Sequence, residues 1–436
     1  MSERVLLVVT EATGLTASLV EAIAQGTRVC LLSGNAKRAD LELGLNADLA
    51  GVHDLAAQLG RVLDEEQPTR VVLPTPDVGS LATRAAAAAV IAALSVRESI
   101  PLRFISEAGD LGATERDAHE VFAQRRDSGE RIPATAVIST WNKASDVREN
   151  LTSLRAQTRL FRSIIVVDNA SSDDTARMIS EEFPEVRLIV MPNSAYGACE
   201  TFNVGFASSC TELTAILDDD IIMSPGWLER SSERLAKEPA STAILSTKIV
   251  EPEMPESYRS SPGINTERYM STFRGCASLA RTGPLREAGY YDERLFIYGN
   301  ERDLTCRLLS RGYRVLQYPL AEVFHKTPFG IKMGKRSLYY HARNAWISML
   351  KYAPLKDLLR LPFLVLTKVL MRSKAEEVKG EITDATGTIG IGRSIRETRG
   401  AWWILVRAAS SVLYNVPYCL RNREPVDAPD FELPLK

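Results

Sequence analysis

The chain is short of the residues that mark several common chemistries. Its 436 residues include six cysteines and four histidines. The cysteines, at positions 30, 199, 210, 276, 306 and 419, are scattered and form no C-x-x-C pair. That argues against a zinc site and a disulfide framework, and for reduced thiols in a cytoplasm. No apolar run reaches the ~18–20 residues needed to span a bilayer. The nearest, AAAAAVIAALSV at 85–96, is short and alanine-rich and reads as a buried helix. The apolar run near the N-terminus, in MSERVLLVVTEATG, is short and continuous with a strand pattern, so no signal peptide is expected. Neither charge dominates: 53 Lys and Arg stand against 55 Asp and Glu. That balance by itself argues neither for nor against nucleic acid, and no nucleic-acid partner is expected. No G-x-G-x-x-G follows a strand signal, which leaves no dinucleotide fingerprint.

What is present is a chain that is 45% hydrophobic and 25% charged, the balance of a soluble globular protein with a large core. Its length suits two or three domains. Residues 1–126 alternate β-rich runs (RVLLVV, RVCLLS, RVVLPT, PLRFIS) with amphipathic stretches, the pattern of a small parallel α/β layer. A charged segment with Gly and Pro at 124–134 reads as a linker. A second alternation begins at Thr135: the strand TAVIST, the helix DVRENLTSLRAQ, the strand RSIIVVD, a polar turn, and a helix stopped by Pro184. Ser171 or Ser172 is placed to cap that last helix. EVRLIVMPN and TAILDDDI read as further strands. Between 331 and 374 there are ten Lys or Arg and one acid, Asp357, and the C-terminal segments are basic, aromatic and amphipathic. The expected domains are therefore an accessory α/β domain at 1–126, a central domain at 127–345 and a helical region at 346–436.

Polar clusters fall at the carboxyl ends of three predicted strands: Thr140–Lys143, Asp168–Ser172 and Asp218–Asp220. In open α/β sheets that edge is where ligands bind. Asp218, Asp219 and Asp220 are flanked by Ala215-Ile216-Leu217 and Ile221-Ile222-Met223, so the acidic triplet is anchored in core on both sides. Adjacent carboxylates so placed call for a divalent cation, and hard oxygen ligands favour Mg²⁺ or Mn²⁺. His325 follows a strand-like run and becomes a ligand candidate if the fold carries it to the aspartates. Glu301 and Asp303 open an amphipathic helix, where acids suit the N-terminal dipole. Asp303 reads as part of that helix. Glu301 reads as preceding it, where a carboxylate can serve as a general base.

In order along 135–344 these stretches resemble family 2 glycosyltransferases of the GT-A fold. STWNKASDVRENLTSLRAQT matches their first strand and T-Y-N-type turn, and IIVVDNASSDDT matches their base- and ribose-binding turn. LDDDI matches the D-x-D-type motif, and AGYYDERLFIYGNERDLTCRLLSRGY matches the acceptor half. His325 and the Arg343-Asn344 pair stand where the family often carries a metal-binding His and an R-N pair. Two departures are visible. Asn300-Glu301 replaces the family's E-D pair, making the base one methylene longer. NSAYGACETFNVG has fewer glycines than usual.

The resemblance implies an α/β fold with a GT-A (nucleotide-diphospho-sugar transferase, Rossmann-like) central domain. It also implies inverting transfer from a nucleotide-diphosphate sugar (UDP or dTDP) to a hydroxyl of a glycan or lipid-linked glycan. Asp220 would be the principal metal ligand, with Asp218 and His325 assisting, and the cation would be Mg²⁺ or Mn²⁺. Thr140, Trp141, Asn142, Asp168, Asn169, Asp218 and Asp219 would bind the nucleotide sugar, and Glu301 would be the base. The chain is similar to bacterial galactofuranosyl- and rhamnosyltransferases of envelope polysaccharides. Residues Trp402, Trp403, Tyr414 and Tyr418 suit the plane of an anionic leaflet, so a peripheral position on the inner face of the cell membrane is expected. Core packing or a homo-oligomer interface would use the same helices. Two other functions compete: a sugar nucleotidyltransferase, which would show a Gly-rich phosphate loop that TAVISTWNKASD lacks, and a non-catalytic scaffold, which the intact acids argue against.

Overall fold

The structure is a computed structural model. It describes residues 131–329, 334–364 and 398–433 and, in the N-terminal region, 5–9, 28–31, 41–42, 52–74, 90, 93, 101–105 and 116–117. Most of the expected linker, most of the alanine-rich run at 85–96 and all of 365–397 lie outside the described residues.

The N-terminal region forms one sheet from β1 (Val5–Val9), β2 (Arg28–Leu31), β3 (Leu41–Glu42), β4 (Arg70–Pro74), β5 (Pro101–Ile105) and β6 (Arg116–Asp117). The order is β3-β2-β1-β4-β5-β6. The first five pair in parallel and β6 pairs antiparallel with β5. Helix α1 (Val52–Glu66) buries Leu59, Val62 and Leu63, the i, i+3, i+4 stripe of a helix with one covered face. This is the parallel α/β layer that the alternating pattern implies.

The second sheet contains β7 (Ile132–Thr140), β8 (Phe161–Asp168), β9 (Arg187–Val190), β10 (Leu213–Leu217), β11 (Ile221–Met223), β12 (Thr242–Val250), β13 (Arg268–Met270), β14 (Ala277–Arg281) and β15 (Arg314–His325). Its order is β11-β15-β12-β14-β10-β7-β8-β9, with β13 added beside β15. β7 to β10 run parallel, and β14 runs antiparallel to both its neighbours. The described helices of six or more residues in this region are α2 (Ala144–Arg155), α3 (Thr175–Glu182), α4 (Ala198–Ser208), α5 (Trp227–Ala236), α6 (Thr282–Glu287), α7 (Asn300–Ser310), α8 (Lys335–Tyr352), α9 (Leu355–Leu364) and α10 (Ala401–Arg421).

Strand periodicity decides which helix covers which face. Ala136 and Ile138 of β7, with Ala215 and Leu217 of β10, pack in one cluster with Val147, Leu151 and Leu154 of α2, Ile179 of α3 and Trp227 of α5. The intervening Val137 and Ile216 face a second cluster with Phe202 and Phe206 of α4, Leu304 and Leu308 of α7, Ile347 of α8 and Val412 of α10. Both faces are covered, which is why the strands read as continuous apolar runs.

Two local expectations change. Helix α3 begins at Thr175 after Asp174, and neither serine caps it. The Ser171 hydroxyl instead donates to Asp168, and the Asp173 carboxylate accepts from the Thr175 amide at 3.0 Å. The nearer acid outcompetes the serines because their hydroxyls are engaged upstream. Glu301 does not precede α7 but is its second residue, after Gly299 in the left-handed region at φ 75°.

Helix α8 runs through residue 345 without a break and packs against α10, whose buried stripe is Ala401, Ala408, Val412, Asn415 and Cys419. At its end Lys351, only 3% exposed, bridges Asp292 Oδ2 at 2.8 Å and Asp303 Oδ1 at 2.6 Å. Burial alone would raise Asp292, but the Lys351 ammonium holds it below its ordinary value. Removing one member of a buried ion cluster leaves charge uncompensated. Lys351→Met should therefore lower unfolding stability by about 3–5 kcal/mol in chemical denaturation; a change below about 1 kcal/mol would show the bridge to be dispensable.

Candidate functional site

The carboxyl ends of β7, β8 and β10 lie side by side. Thr140 pairs with Asp168 in register, and Leu217, the last residue of β10, leads directly into the three aspartates. The turn from Asp218 to Asp220 joins β10 to β11 and is fastened by backbone bonds on several sides. The Asp218 amide donates to the Cys276 carbonyl at 3.0 Å, and the Lys326 amide donates to the Asp220 carbonyl at 3.0 Å. Asn150, buried on α2, donates its side-chain amide to the Asp218 carbonyl at 2.7 Å. The antiparallel pairing of Ile221 with His325 brings the end of β15 to the aspartates.

The result is a cluster in which one ligand atom each from Asp218, Asp220 and His325 lies within 4.8 Å of the others. His325 Nε2 is 3.3 Å from Asp220 Oδ1, and its Nδ1 is 2.9 Å from Glu251 Oε1. Lys143 Nζ lies 3.5 Å from Asp220 Oδ2, and the Thr327 hydroxyl donates to the same oxygen at 3.3 Å. The charges are strongly perturbed. Burial, then repulsion from Asp220, pushes Asp218 up to about 7, and the same two causes lead for Asp219, also at about 7. Burial would raise Asp220 too, but the His325 hydrogen bond and charge and the nearby Lys143 bring it to about 2. His325 rises to about 10: burial lowers it, and its hydrogen bonds to Asp220 and Glu251 more than offset that. Two carboxylates and an imidazole with a carboxylate behind it form a donor set that suits Mn²⁺ or Mg²⁺. A divalent cation would also offset the Asp220 repulsion that adds to burial in keeping Asp218 and Asp219 high.

The other sequence candidates hold different positions on this edge. The Thr140 hydroxyl is donated to Asp219 Oδ2 at 2.8 Å, so it orients the acid. Trp141 is 52% exposed beside it. Asn142, at φ 53°, accepts the Ser172 amide at 2.7 Å and so ties the first polar turn to the second. Asp168 is fully buried and accepts the Ser171 amide at 3.0 Å. Asn169 donates to the Tyr196 carbonyl at 2.9 Å, while its Oδ1 is buried without a partner. An orphaned buried acceptor at this edge is suited to an N–H of a ligand.

Glu301 lies beneath the same edge. Its carboxylate accepts from the Asn300 amide at 2.9 Å. Burial raises it to about 6, against hydrogen bonds from its own backbone and from Asn300. A methyl group on Gly275 would collide with this carboxylate, so glycine there leaves room for it. Asp303 faces the other way, fully buried against Lys351 and Arg307. The geometry thus separates the two acids: Glu301 forms no ion pair among the described residues, whereas Asp303 is part of the structural bridge.

Several residues at the site carry no sequence signal of their own. Glu251 follows β12 in an ordinary loop, and only the pairing of β12 with β15 brings it to His325. Thr327 and Gly275 likewise belong to no motif. Lys143 was visible in the first polar turn, but nothing in the spacing ties it to Asp220.

Residues 135–292 match the family described as "Glycosyl transferase family 2". The pre-mycofactocin glycosyltransferase of Mycobacterium tuberculosis is 29% identical over 209 residues, 44% of this chain and 42% of that protein. The N-acetylglucosaminyl-diphospho-decaprenol L-rhamnosyltransferase of the same organism is 23% identical over 234 residues, 44% of this chain and 75% of the relative. The chain thus spans less than half the length of the first of these relatives. Among solved structures, a mannosyltransferase from Pyrobaculum calidifontis in complex with GDP-Man and Mn²⁺ aligns at a TM-score of 0.40 and 16% identity, over 67% of this chain and 77% of that one. GalNAc-T7 with UDP, GalNAc and Mn²⁺ aligns at 0.43 and 13%, over 66% and 59%.

The cluster generates a direct expectation. Mn²⁺ should bind the intact chain, and Asp220→Ala should weaken that binding by at least tenfold in titration calorimetry while circular dichroism stays unchanged. His325→Ala should weaken it less, because carboxylates supply most of the charge. Equal Mn²⁺ affinity in wild type and Asp220→Ala would remove this cluster as the metal site.

Proposed function

We propose that this chain, which resembles family 2 glycosyltransferases, is an inverting, metal-dependent hexosyltransferase. It would move a sugar from a nucleotide-diphosphate donor, UDP- or dTDP-linked, to a hydroxyl of a glycan or lipid-linked glycan in cell-envelope polysaccharide synthesis. The observation that carries the reading is the cluster of Asp218, Asp220 and His325 on the carboxyl edge of the sheet, with Glu301, a carboxylate without an ion pair among the described residues, close by. A bound Mg²⁺ or Mn²⁺ would supply neutralising charge for the departing diphosphate. Asp220 and Asp218 would hold it, and His325, backed by Glu251, would complete the set.

The chain's own groups then account for the rest. Asp168 and Asn169 line the base and ribose side, where the orphaned Asn169 Oδ1 accepts an N–H. Thr140 orients Asp219 toward ribose or diphosphate, and Trp141 and Asn142 shape the rim. Glu301 takes the proton of the acceptor hydroxyl as its oxygen bonds to the anomeric carbon. The bond from that carbon to the diphosphate oxygen breaks on the opposite face, which inverts the configuration. In this reading residues 1–126 are an accessory domain for the acceptor, 127–345 the catalytic domain and 346–436 a helical attachment region.

A positioned base contributes roughly 10²–10⁴-fold. Glu301→Gln should lower the transfer rate by about that factor with donor affinity nearly unchanged. Because burial raises Glu301 to about 6, the metal-saturated enzyme should have a level rate above pH ~6 and lose about tenfold per unit below it. The base must be ionised to act, so the loss lies on the acid side. A wild-type rate in Glu301→Gln would eliminate it as the base.

A lipid-linked acceptor suits attachment at the inner face of the membrane. Helix α10 exposes Trp402, Trp403, Val406, Leu413, Tyr414 and Leu420 and contains two arginines and no acid. Exposed Leu355, Leu359 and Phe363 on α9 add a second apolar face. No described helix is long and apolar enough to cross a membrane. Apolar faces with interfacial aromatics and basic residues favour an anionic lipid surface. The intact chain should float with phosphatidylglycerol vesicles, and the double variant Trp402→Glu/Leu413→Glu should remain below. Failure of the intact chain to float would refute lipid attachment, and a concentration-dependent dimer in its place would assign the face to a second copy.

A further inference from the structure

The loop that delivers Glu301 is held in an unfavourable conformation. Phe296 at φ 68° and Tyr298 at φ 65° are both left-handed, and Gly299 follows at φ 75°. Non-glycine residues there are strained and persist only where their surroundings over-determine them. Asn300 and Glu301 come next in the chain, so the direction of the Glu301 side chain depends on this loop.

One face of α8 supplies the constraint. The Asn344 side-chain nitrogen lies 3.0 Å from the Leu295 carbonyl oxygen, 2.9 Å from that of Ile297 and 2.8 Å from that of Tyr298. With two hydrogens for three acceptors, one bond is shared. The amide has only one sensible orientation, because Arg343 Nη1 donates to Asn344 Oδ1 at 2.6 Å. The neighbouring turn of α8 grips the side chains. Tyr340 stacks on Phe296 with ring centroids 5.4 Å apart, and His341 stacks on Tyr298 at 4.5 Å. From the opposite side the Cys199 amide donates to the Phe296 carbonyl at 3.1 Å. Gly197 leaves no room for a side chain there, since a Cβ would meet the Phe296 ring and carbonyl. Arg343 extends the grip to α10, donating to the Arg294 carbonyl and the Ser411 hydroxyl, each at 2.9 Å.

We infer that Asn344 is a positioning residue for the proton transfer: with Tyr340 and His341 it clamps the loop at 295–299 in its left-handed form and so aims Glu301 at the acceptor hydroxyl. The inference rests on Glu301 acting as the base. It assigns to the tyrosine- and histidine-rich start of α8 a task distinct from donor and metal binding. Small displacements of a reacting group can cost up to about 10²-fold in rate.

The test is a double-mutant cycle on the full chain, with UDP and Mn²⁺ as binding probes and a screened UDP- or dTDP-hexose as donor. In the wild-type background Asn344→Ala should lower kcat roughly 10- to 100-fold, with the donor KM and Mn²⁺–UDP affinity within twofold. In the Glu301→Gln background the same substitution should cost less than twofold, because no base remains to be aimed. Equal losses in both backgrounds would mean a general structural role, and no loss in either would mean that the clamp does not matter; both overturn the inference. A wild-type rate in Glu301→Gln alone is the separate signature of a wrong base. If Asn344→Ala loses cooperative melting, His341→Ala, which keeps all three carbonyl bonds, takes its place in the cycle with a smaller loss of the same pattern.

Discussion

Mutual repulsion among three adjacent carboxylates is the constraint around which the carboxyl edge of the second sheet is organised. Asp218, Asp219 and Asp220 sit half-buried on a turn between two largely buried strands, where water screens them only in part. Each meets a different answer. Asp220 is neutralised locally by His325 and Lys143 and remains ionised. Asp219 is steadied by the Thr140 hydroxyl, and burial with the Asp220 charge pushes Asp218 up to about 7. Such a turn is stable only where its backbone is pinned, and bonds from α2, β15 and the residue before β14 pin it. The same unrelieved charge makes the site receptive to a divalent cation.

Around that turn the protein separates rigidity from reactivity. Asp303 and Glu301 lie two residues apart in the first turn of α7, yet their environments differ entirely. Asp303 is locked between Lys351 and Arg307, and through Lys351 it shares a cation with Asp292. The Glu301 carboxylate is withdrawn from water and met by neutral amide groups alone, so it keeps a raised affinity for protons. One acid holds α7, α8 and the loop before α7 together, and the other is left available for chemistry. Helix α8 serves both tasks, with Lys351 at its end and the Asn344 face nearer its middle.

The outer surface of α10 follows a different logic. Its buried stripe packs against α8, while bulky aromatics point outward with arginines and no acids. Because Arg343 links α8 to both the loop at Arg294 and Ser411 of α10, α10 is also bonded to the elements that carry Glu301.

The sequence by itself determined the elements and their order. Strand and helix periods are local properties of a few residues, so both α/β alternations, the stop at Pro184 and the acidic triplet between apolar runs were legible without a structure. Family resemblance added the order of the motifs. The serine cap was misread because a turn with several polar side chains offers competing acceptors, and Asp168 took the hydroxyl. The start of α7 was misread by a residue or two because Gly299, not a capping side chain, marks it. Only the tertiary structure decided which charges meet. His325 reaches Asp220 through the pairing of β11 with β15, Glu251 reaches His325 through β12, and Asn344 reaches the loop of Glu301 because α8 packs beside it. These contacts join residues far apart in the chain, and their energies depend on burial and distance, which no local pattern of residues encodes.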